Sequence, residues 1–140
     1  MADYIYVIIA IVALMLLYVI WLKVVAPVFA GVKKITINEY RDQFKKQSHV
    51  LLDVRSESEF EAAHVPRAKH MTVEDVAKSN REALAEIIHD RPVICICANG
   101  NRSSMAATVV ARYGFSPVYT LSGGMSAWQS AGLTVRRSKG

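Results

Sequence analysis

Between Tyr4 and Leu22 the chain carries no charged side chain, and apolar residues occupy every face a helix there would present. This run of nineteen residues constrains the fold more than any other feature. At ~1.5 Å per residue it spans roughly the ~30 Å of a hydrocarbon core. Tyr4 and Tyr6 at one end, and Tyr18 and Trp21 at the other, stand where interfacial aromatics belong. Asp3 precedes the run, whereas Lys23, Lys33, Lys34, Arg41, Lys45 and Lys46 follow it. That bias places the N-terminus outside and the following residues in the cytoplasm, as in a single-pass protein of a bacterial inner membrane. Residues 4–22 are thus expected to contact the lipid bilayer. Two other readings compete. A cleaved signal peptide needs a basic start and a shorter apolar core, and has only Val28-Phe29-Ala30 as a cleavage-like site. A buried core helix would more usually show ~10–14 apolar residues. Pro27 and Gly31 should end the helix and open a short linker, giving an anchor over residues 1–32 and one domain over 33–140.

The 140-residue length suits one ordinary core and a short appendage. The formal charge of +5 is scattered, often beside acids, and no aromatics interleave the bases, which argues against a nucleic-acid partner. The two cysteines, Cys95 and Cys97, cannot build a disulfide framework and fit a reducing compartment.

After Gly31 short β-type runs alternate with amphipathic stretches. Thr36-x-x-Glu39, Ser56-x-x-Glu59, Thr72-x-x-Asp75 and Ser79-x-x-Glu82 each read as a helix start, with a hydroxyl for an orphan N–H and an acid on the positive helix end. The runs 50–53, 69–71, 93–97 and 118–120 read as strands, and 93–97 is apolar throughout, as in a strand buried on both faces. A helix is expected over 103–113, closed by Gly114. Together these imply an α/β domain with a mainly parallel sheet.

In such a sheet chemistry belongs just beyond the carboxyl ends of the strands. Cys97 closes the most buried run, and Ala98, Asn99, Gly100, Asn101 and Arg102 lead into the next helix. Gly100 and the asparagines tolerate positive φ, so the loop can curl its N–H groups into an anion nest. With the helix N-terminus and Arg102, that ring should favour Cys97 as thiolate, the attacking form, and could hold an anionic sulfur donor. The competing reading is a small buried residue followed by an ordinary turn.

Cys97-Ala-Asn-Gly-Asn-Arg-Ser103 resembles the Cys-x-x-Gly-x-Arg-Ser loop of single-domain rhodanese-like sulfurtransferases. Leu52–Arg55, Glu59-Phe60, His64–Pro66 and Ala68 are similar to that family's N-terminal blocks. Gly114-Phe115, Val118-Tyr119, Leu121–Met125, Ala127-Trp128 and Gly132-Leu133 are similar to its C-terminal block. The resemblance implies a rhodanese-like fold with a five-stranded, mostly parallel sheet flanked by helices. It also implies two-step transfer of sulfane sulfur. Cys97 takes sulfur from a donor such as thiosulfate, holds it as a persulfide, and passes it to cyanide, a small thiol or a protein thiol, with no cofactor and no metal. Three positions depart from the pattern. Ala63 and Arg67 stand where glycines are common, and Ala98 stands where a basic residue is frequent, leaving Arg102 the loop's only side-chain cation.

Other residues weigh towards structure. Cys95 reads as a packed strand residue rather than half of a redox pair, and Asp53 and Arg55 as an ion pair steadying the facing loop rather than substrate contacts. Ser103 reads as a helix cap, with presentation of its hydroxyl to the pocket as the alternative. Trp128 and Tyr119 read as packing residues, and the four histidines lack metal-ligand spacing. Two rival functions remain: a non-catalytic interaction module, against which Cys97 and Arg102 argue, and a phosphatase or arsenate reductase. The latter would call for a loop one residue longer to hold a tetrahedral oxyanion.

Overall fold

The structure is a computed structural model and describes residues 1–26 and 31–138. Five strands, β1 (Val32–Ile35), β2 (Val50–Asp53), β3 (Lys69–His70), β4 (Val93–Ile96) and β5 (Val118–Leu121), form one sheet in the order β1-β5-β4-β2-β3. Every neighbouring pair is parallel. The first row across the sheet is Val32, Val118, Val93 and Val50. Among the described residues seven α-helices accompany it: α1 (Ala2–Ile20), α2 (Ile37–Phe44), α3 (Glu57–Ala62), α4 (Val73–Lys78), α5 (Arg81–Ile88), α6 (Asn101–Arg112) and α7 (Gly124–Ser130). This is the α/β domain with a parallel sheet that the alternation implied, and the five strands flanked by helices that the family resemblance implied.

The central position of β4 follows from its side chains. Val93, Cys95 and Cys97 pack with Leu84, Ile88, Ala106 and Val110 on one face, while Ile94 and Ile96 pack with Phe44, Met125 and Trp128 on the other. A strand apolar at every position needs cover on both faces, and here α4, α5 and α6 supply one layer and α2 and α7 the other. Trp128 donates its indole N–H to Thr134 O (2.9 Å), so the buried ring loses no hydrogen bond.

The capping signals sit close to their expected places. Thr36 with Glu39 and Ser56 with Glu59 form reciprocal capping boxes, and the Thr72 hydroxyl accepts from Asp75 N–H. The fourth start is corrected by one residue. Asn80 caps α5 by accepting from Ala83 N–H (2.8 Å), while Ser79 closes α4 and donates to Val76 O. An amide oxygen reaches the first-turn N–H groups as well as a hydroxyl does, so adjacent Ser and Asn compete for one role. β1 went unread in the sequence because Lys33 and Lys34 hide the pattern of an edge strand, where exposed lysines are usual.

α1 has no buried residue, and Trp21–Val25 extends it as a π-helical turn. The span Ala2–Val25 is 24 residues long and contains an 18-residue window with a mean hydropathy of 2.9, enough to cross a membrane by length and composition. A signal sequence near an N-terminus passes the same test. The break expected at Pro27 and the cleavage-like 28–30 lie outside the described residues.

Candidate active site

The loop after β4 is fixed from below by the glycine pair Gly123-Gly124. Gly123 and Gly124 turn the chain from β5 into α7 with positive φ (76° and 53°). The backbone then comes close enough for Met125 N–H to donate to Cys97 O (2.8 Å) and Ser126 N–H to Ala98 O (3.1 Å). A methyl group at Gly124 would overlap the Cys97 carbonyl oxygen and stand 2.9 Å from the Ala98 carbonyl carbon. Only glycine allows that approach.

Above this anchor, Gly100 adopts φ 98° and forms the N-cap of α6. The helix therefore starts at Asn101, two residues before the expected Ser103, and Asn101 and Arg102 belong to its first turn. The Gly100 N–H points back and donates to Cys97 Sγ at 2.9 Å. Ser103 is corrected in role. Gly100 caps α6 without a side chain, and the Ser103 hydroxyl instead bonds Gly100 O (3.2 Å) while standing 3.6 Å from Cys97 Sγ. Fully buried, it places a second polar hydrogen-bonding group beside the sulfur.

The other loop residues separate. Ala98 serves through its backbone, accepting from Ser126. The Asn99 side chain accepts from Asn101 N–H (3.3 Å), so that N–H does not join the sulfur. The nest thus narrows to one N–H, one hydroxyl and the N-terminus of α6.

Arg102 does not stand as a free cation. Its guanidinium grips Glu59 of α3 with two bonds, Nη1 to Oε1 at 2.7 Å and Nη2 to Oε2 at 2.9 Å. Hydrogen bonding from Arg102, together with that from Ser56, holds the Glu59 carboxyl down at about 2. In return Glu59, and to a smaller extent the charges of Cys97 and Asp53, hold Arg102 protonated above its ordinary value. Both side chains stay over a third exposed, so the pair is a surface clamp of modest strength. Glu59 is the site residue that sequence reasoning used only as a cap; the capping box disguises its second partner 43 positions away.

Asp53 and Arg55 form the expected ion pair, buried and bidentate (2.8 Å between Nη2 and Oδ2), and Arg55 also donates to Ala63 O (2.6 Å). The pair braces the β2–α3 turn beside the loop. Arg67 stands at φ 68°, a left-handed position that glycine takes without cost, whereas Ala63 is extended and unstrained. Cys95 is fully buried in the sheet, and burial pushes its thiol up to about 12.

Comparison with known proteins agrees with this geometry. Residues 36–131 match the model of the rhodanese-like domain. The chain is 35% identical over 92 residues to the thiosulfate sulfurtransferase GlpE of Pseudomonas syringae, covering 66% of this chain and 83% of that one. It is 34% identical over 94 residues to the protein of that name in Vibrio cholerae, covering 67% and 84%. Among solved structures, a rhodanese-like domain from Anabaena superposes with a TM-score of 0.63 at 24% identity, covering 74% of this chain and 78% of that one. A Rhodopseudomonas palustris protein of unknown function, described as a possible tyrosine phosphatase, superposes at 0.65 with 21% identity, covering 79% and 91%, a likeness of fold alone. With residues 36–131 matched by the family's model and most of the domain matched by these relatives, the chain belongs to the rhodanese-like family.

Proposed function

We propose that this sulfurtransferase carries its cargo as a persulfide on Cys97, with thiosulfate as one competent donor, and that α1 holds the enzyme in a membrane. The observation that carries the reading is the Gly100 N–H donated to Cys97 Sγ at 2.9 Å, with the Ser103 hydroxyl beside it. A sulfur that alternates between thiolate and persulfide anion needs donors fixed in advance, and a backbone N–H at a helix start provides one without reorganisation.

In the first step the Cys97 thiolate attacks the outer sulfur of thiosulfate. The new S–S bond forms as the donor's S–S bond breaks, and sulfite departs with the bonding pair. In the second, an acceptor thiolate or cyanide attacks the outer sulfur of Cys97–S–S⁻ and frees the Cys97 thiolate. Ala98 to Arg102 line the path of the donor. Four residues separate Cys97 from Arg102, one fewer than a loop for a tetrahedral oxyanion would call for, which favours sulfur transfer over phosphate or arsenate chemistry.

The exposed apolar surface of α1 supports the anchor, since soluble surfaces rarely leave so large a contiguous patch uncovered. The lysines that follow the span support a cytoplasmic side for the 33–140 domain. Mass spectrometry of the full chain after a thiosulfate pulse tests the chemistry. A gain of about 32 Da, one sulfur atom, should map to the peptide holding Cys97 and vanish on adding cyanide. A folded protein that gains no sulfur from thiosulfate or from any persulfide would overturn the proposal.

A further inference from the structure

All strands of a parallel sheet start at one end, and that end is where the chain arrives from α1. Val32 opens β1 in the same row as Val118, Val93 and Val50. Six residue steps separate Ala26 from Val32, which at ~3.3–3.6 Å each span at most ~20 Å. Ala26 is itself buried, and the π-helical turn before it touches α6. The sheet's starting end is thus tethered close to the last turn of the apolar span. Cys97 lies at the opposite, carboxyl end.

At the tethered end opens a cleft of about 850 Å³. The segments before β2 and β4 form its rim and are joined there by Val50 N–H donating to Pro92 O (2.8 Å). Lys45, Lys46, Arg67, Lys69 and Arg91 line it, against Glu86 as the lining acid, with Asp90 in the adjoining turn. Among the described residues none of these five cations forms a salt bridge; the two bridges present are Asp53–Arg55 and Glu59–Arg102. Four of the five are exposed, and Arg91 spends its guanidinium on the Ile87 and Ile88 carbonyls that end α5, keeping its charge. The cleft therefore carries a local excess of positive charge at the end next to the anchor.

We propose that this basic cleft docks on anionic lipid headgroups of the bilayer that holds α1, so that the sheet stands with its starting end on the membrane and Cys97 facing away from it. This rests on the anchor reading above. Each basic residue near an anionic surface favours contact by roughly fivefold, and the effect fades beyond a Debye length of ~8 Å at physiological salt. Four exposed cations meet the first condition, and a tether of at most ~20 Å leaves the sheet's starting end free to come within the second. The consequence is orientation: the loop is presented to soluble donors and acceptors instead of to the bilayer.

The test uses the full chain in nanodiscs of neutral phosphatidylcholine, or of the same lipid with one third phosphatidylglycerol. Hydrogen–deuterium exchange should slow by about threefold or more over 44–49, 66–70 and 86–91 in the anionic discs alone, with no change over 97–103. Salt at ~1 M should remove the difference. So should the combined Lys45→Glu, Lys46→Glu and Lys69→Glu variant, whose sites are exposed and whose fold circular dichroism would verify. Equal exchange in both discs, with the chain still disc-bound, would overturn the docking and leave the anchor standing. Protection by soluble polyglutamate but not by phosphatidylglycerol would overturn it in favour of an acidic protein partner. A chain that elutes free of discs would overturn the anchor and the docking together.

Discussion

Cys95 and Cys97 are two residues apart on the same face of one β-run, and both are fully buried, yet their surroundings differ completely. Cys95 lies inside β4, paired across to Leu52 and Thr120, and its sulfur meets only packed apolar neighbours of the α4–α6 layer. Cys97 lies one step past the end of the strand, where the ladder stops and free backbone N–H groups begin. Gly100 and Ser103 turn towards it, and Gly123-Gly124 holds its carbonyl from below. Burial alone therefore makes a thiol inert. Burial beside a fixed donor, the Gly100 N–H, makes the proposed site. The difference is one of position along the strand, not of residue type.

The sharpest way to break this contrast is to remove the Cys97 sulfur. Cys97→Ser should lower sulfur transfer by ~1000-fold or more, because an alcohol is neither as acidic nor as good a nucleophile towards sulfur as a thiol. Rates with thiosulfate and cyanide, taken beside circular dichroism, measure it. A folded Cys97→Ser protein that keeps its rate would remove the basis for the proposed mechanism.

Next in size is a change that leaves every reacting atom in place. Gly124→Ala drives a methyl group into the Cys97 and Ala98 backbone. The loop must move, and a displacement near 1 Å costs ~100-fold when donors must meet one sulfur atom. The expected signature is a low rate in a protein that still unfolds cooperatively. Retention of more than half the rate would show that the close approach of α7 has no part in placing Cys97.

Smaller effects belong to the clamp. Arg102→Ala should cost ~10–100-fold, on the scale of one charge-assisted contact, since Gly100 and the α6 terminus remain. Glu59→Gln should change the thiosulfate rate by less than ~10-fold, because the arginine stays but is no longer gripped. The sign of the pH dependence follows from the depressed carboxyl. The stability that ionised Glu59 contributes is full above about pH 4.5 and is lost as pH falls through about 2, where the carboxyl protonates in the folded protein. The Glu59→Gln protein should therefore lack whatever part of the acid loss in wild-type stability, followed as the denaturant midpoint, arises between those values. Identical acid profiles would reduce the pair to a surface contact.

How far these contrasts were legible in the sequence depends on the range of the interaction involved. Cys97, Gly100 and the strand before them could be read because period-two burial and βα-turn chemistry act over a few residues. The same holds for Thr36, Ser56 and Thr72, whose partners lie three residues on. Glu59 gripping Arg102 and Gly124 underlying Cys97 are contacts between segments far apart in the chain. Each of those residues also has a sufficient local explanation, as a cap or as a turn, and nothing in its neighbourhood announces the second role. β1 was missed for the opposite reason, since an edge strand of Val-Lys-Lys-Ile shows almost no apolar pattern.

The smallest expected effect falls on the other cysteine, and it is the one that most sharpens the comparison. Burial holds the Cys95 thiol up at about 12, with the charge of Cys97 adding to the shift, so Cys95 supplies no thiolate under ordinary conditions. Cys95→Ser keeps the size of the side chain and the path of β4 while placing a hydroxyl among apolar neighbours. Stability should fall by ~1–3 kcal/mol, the usual cost of an unsatisfied buried hydroxyl, read as a lower denaturant midpoint at unchanged slope. The sulfur-transfer rate at a temperature where the variant is folded should stay within ~3-fold of wild type, and the persulfide should still load on Cys97. The two readouts move apart only if Cys95 is a packing residue. Should the rate fall as far as in Cys97→Ser while the fold survives, the contrast between the two positions would collapse, and a dithiol mechanism would replace a single nucleophile at the end of the strand.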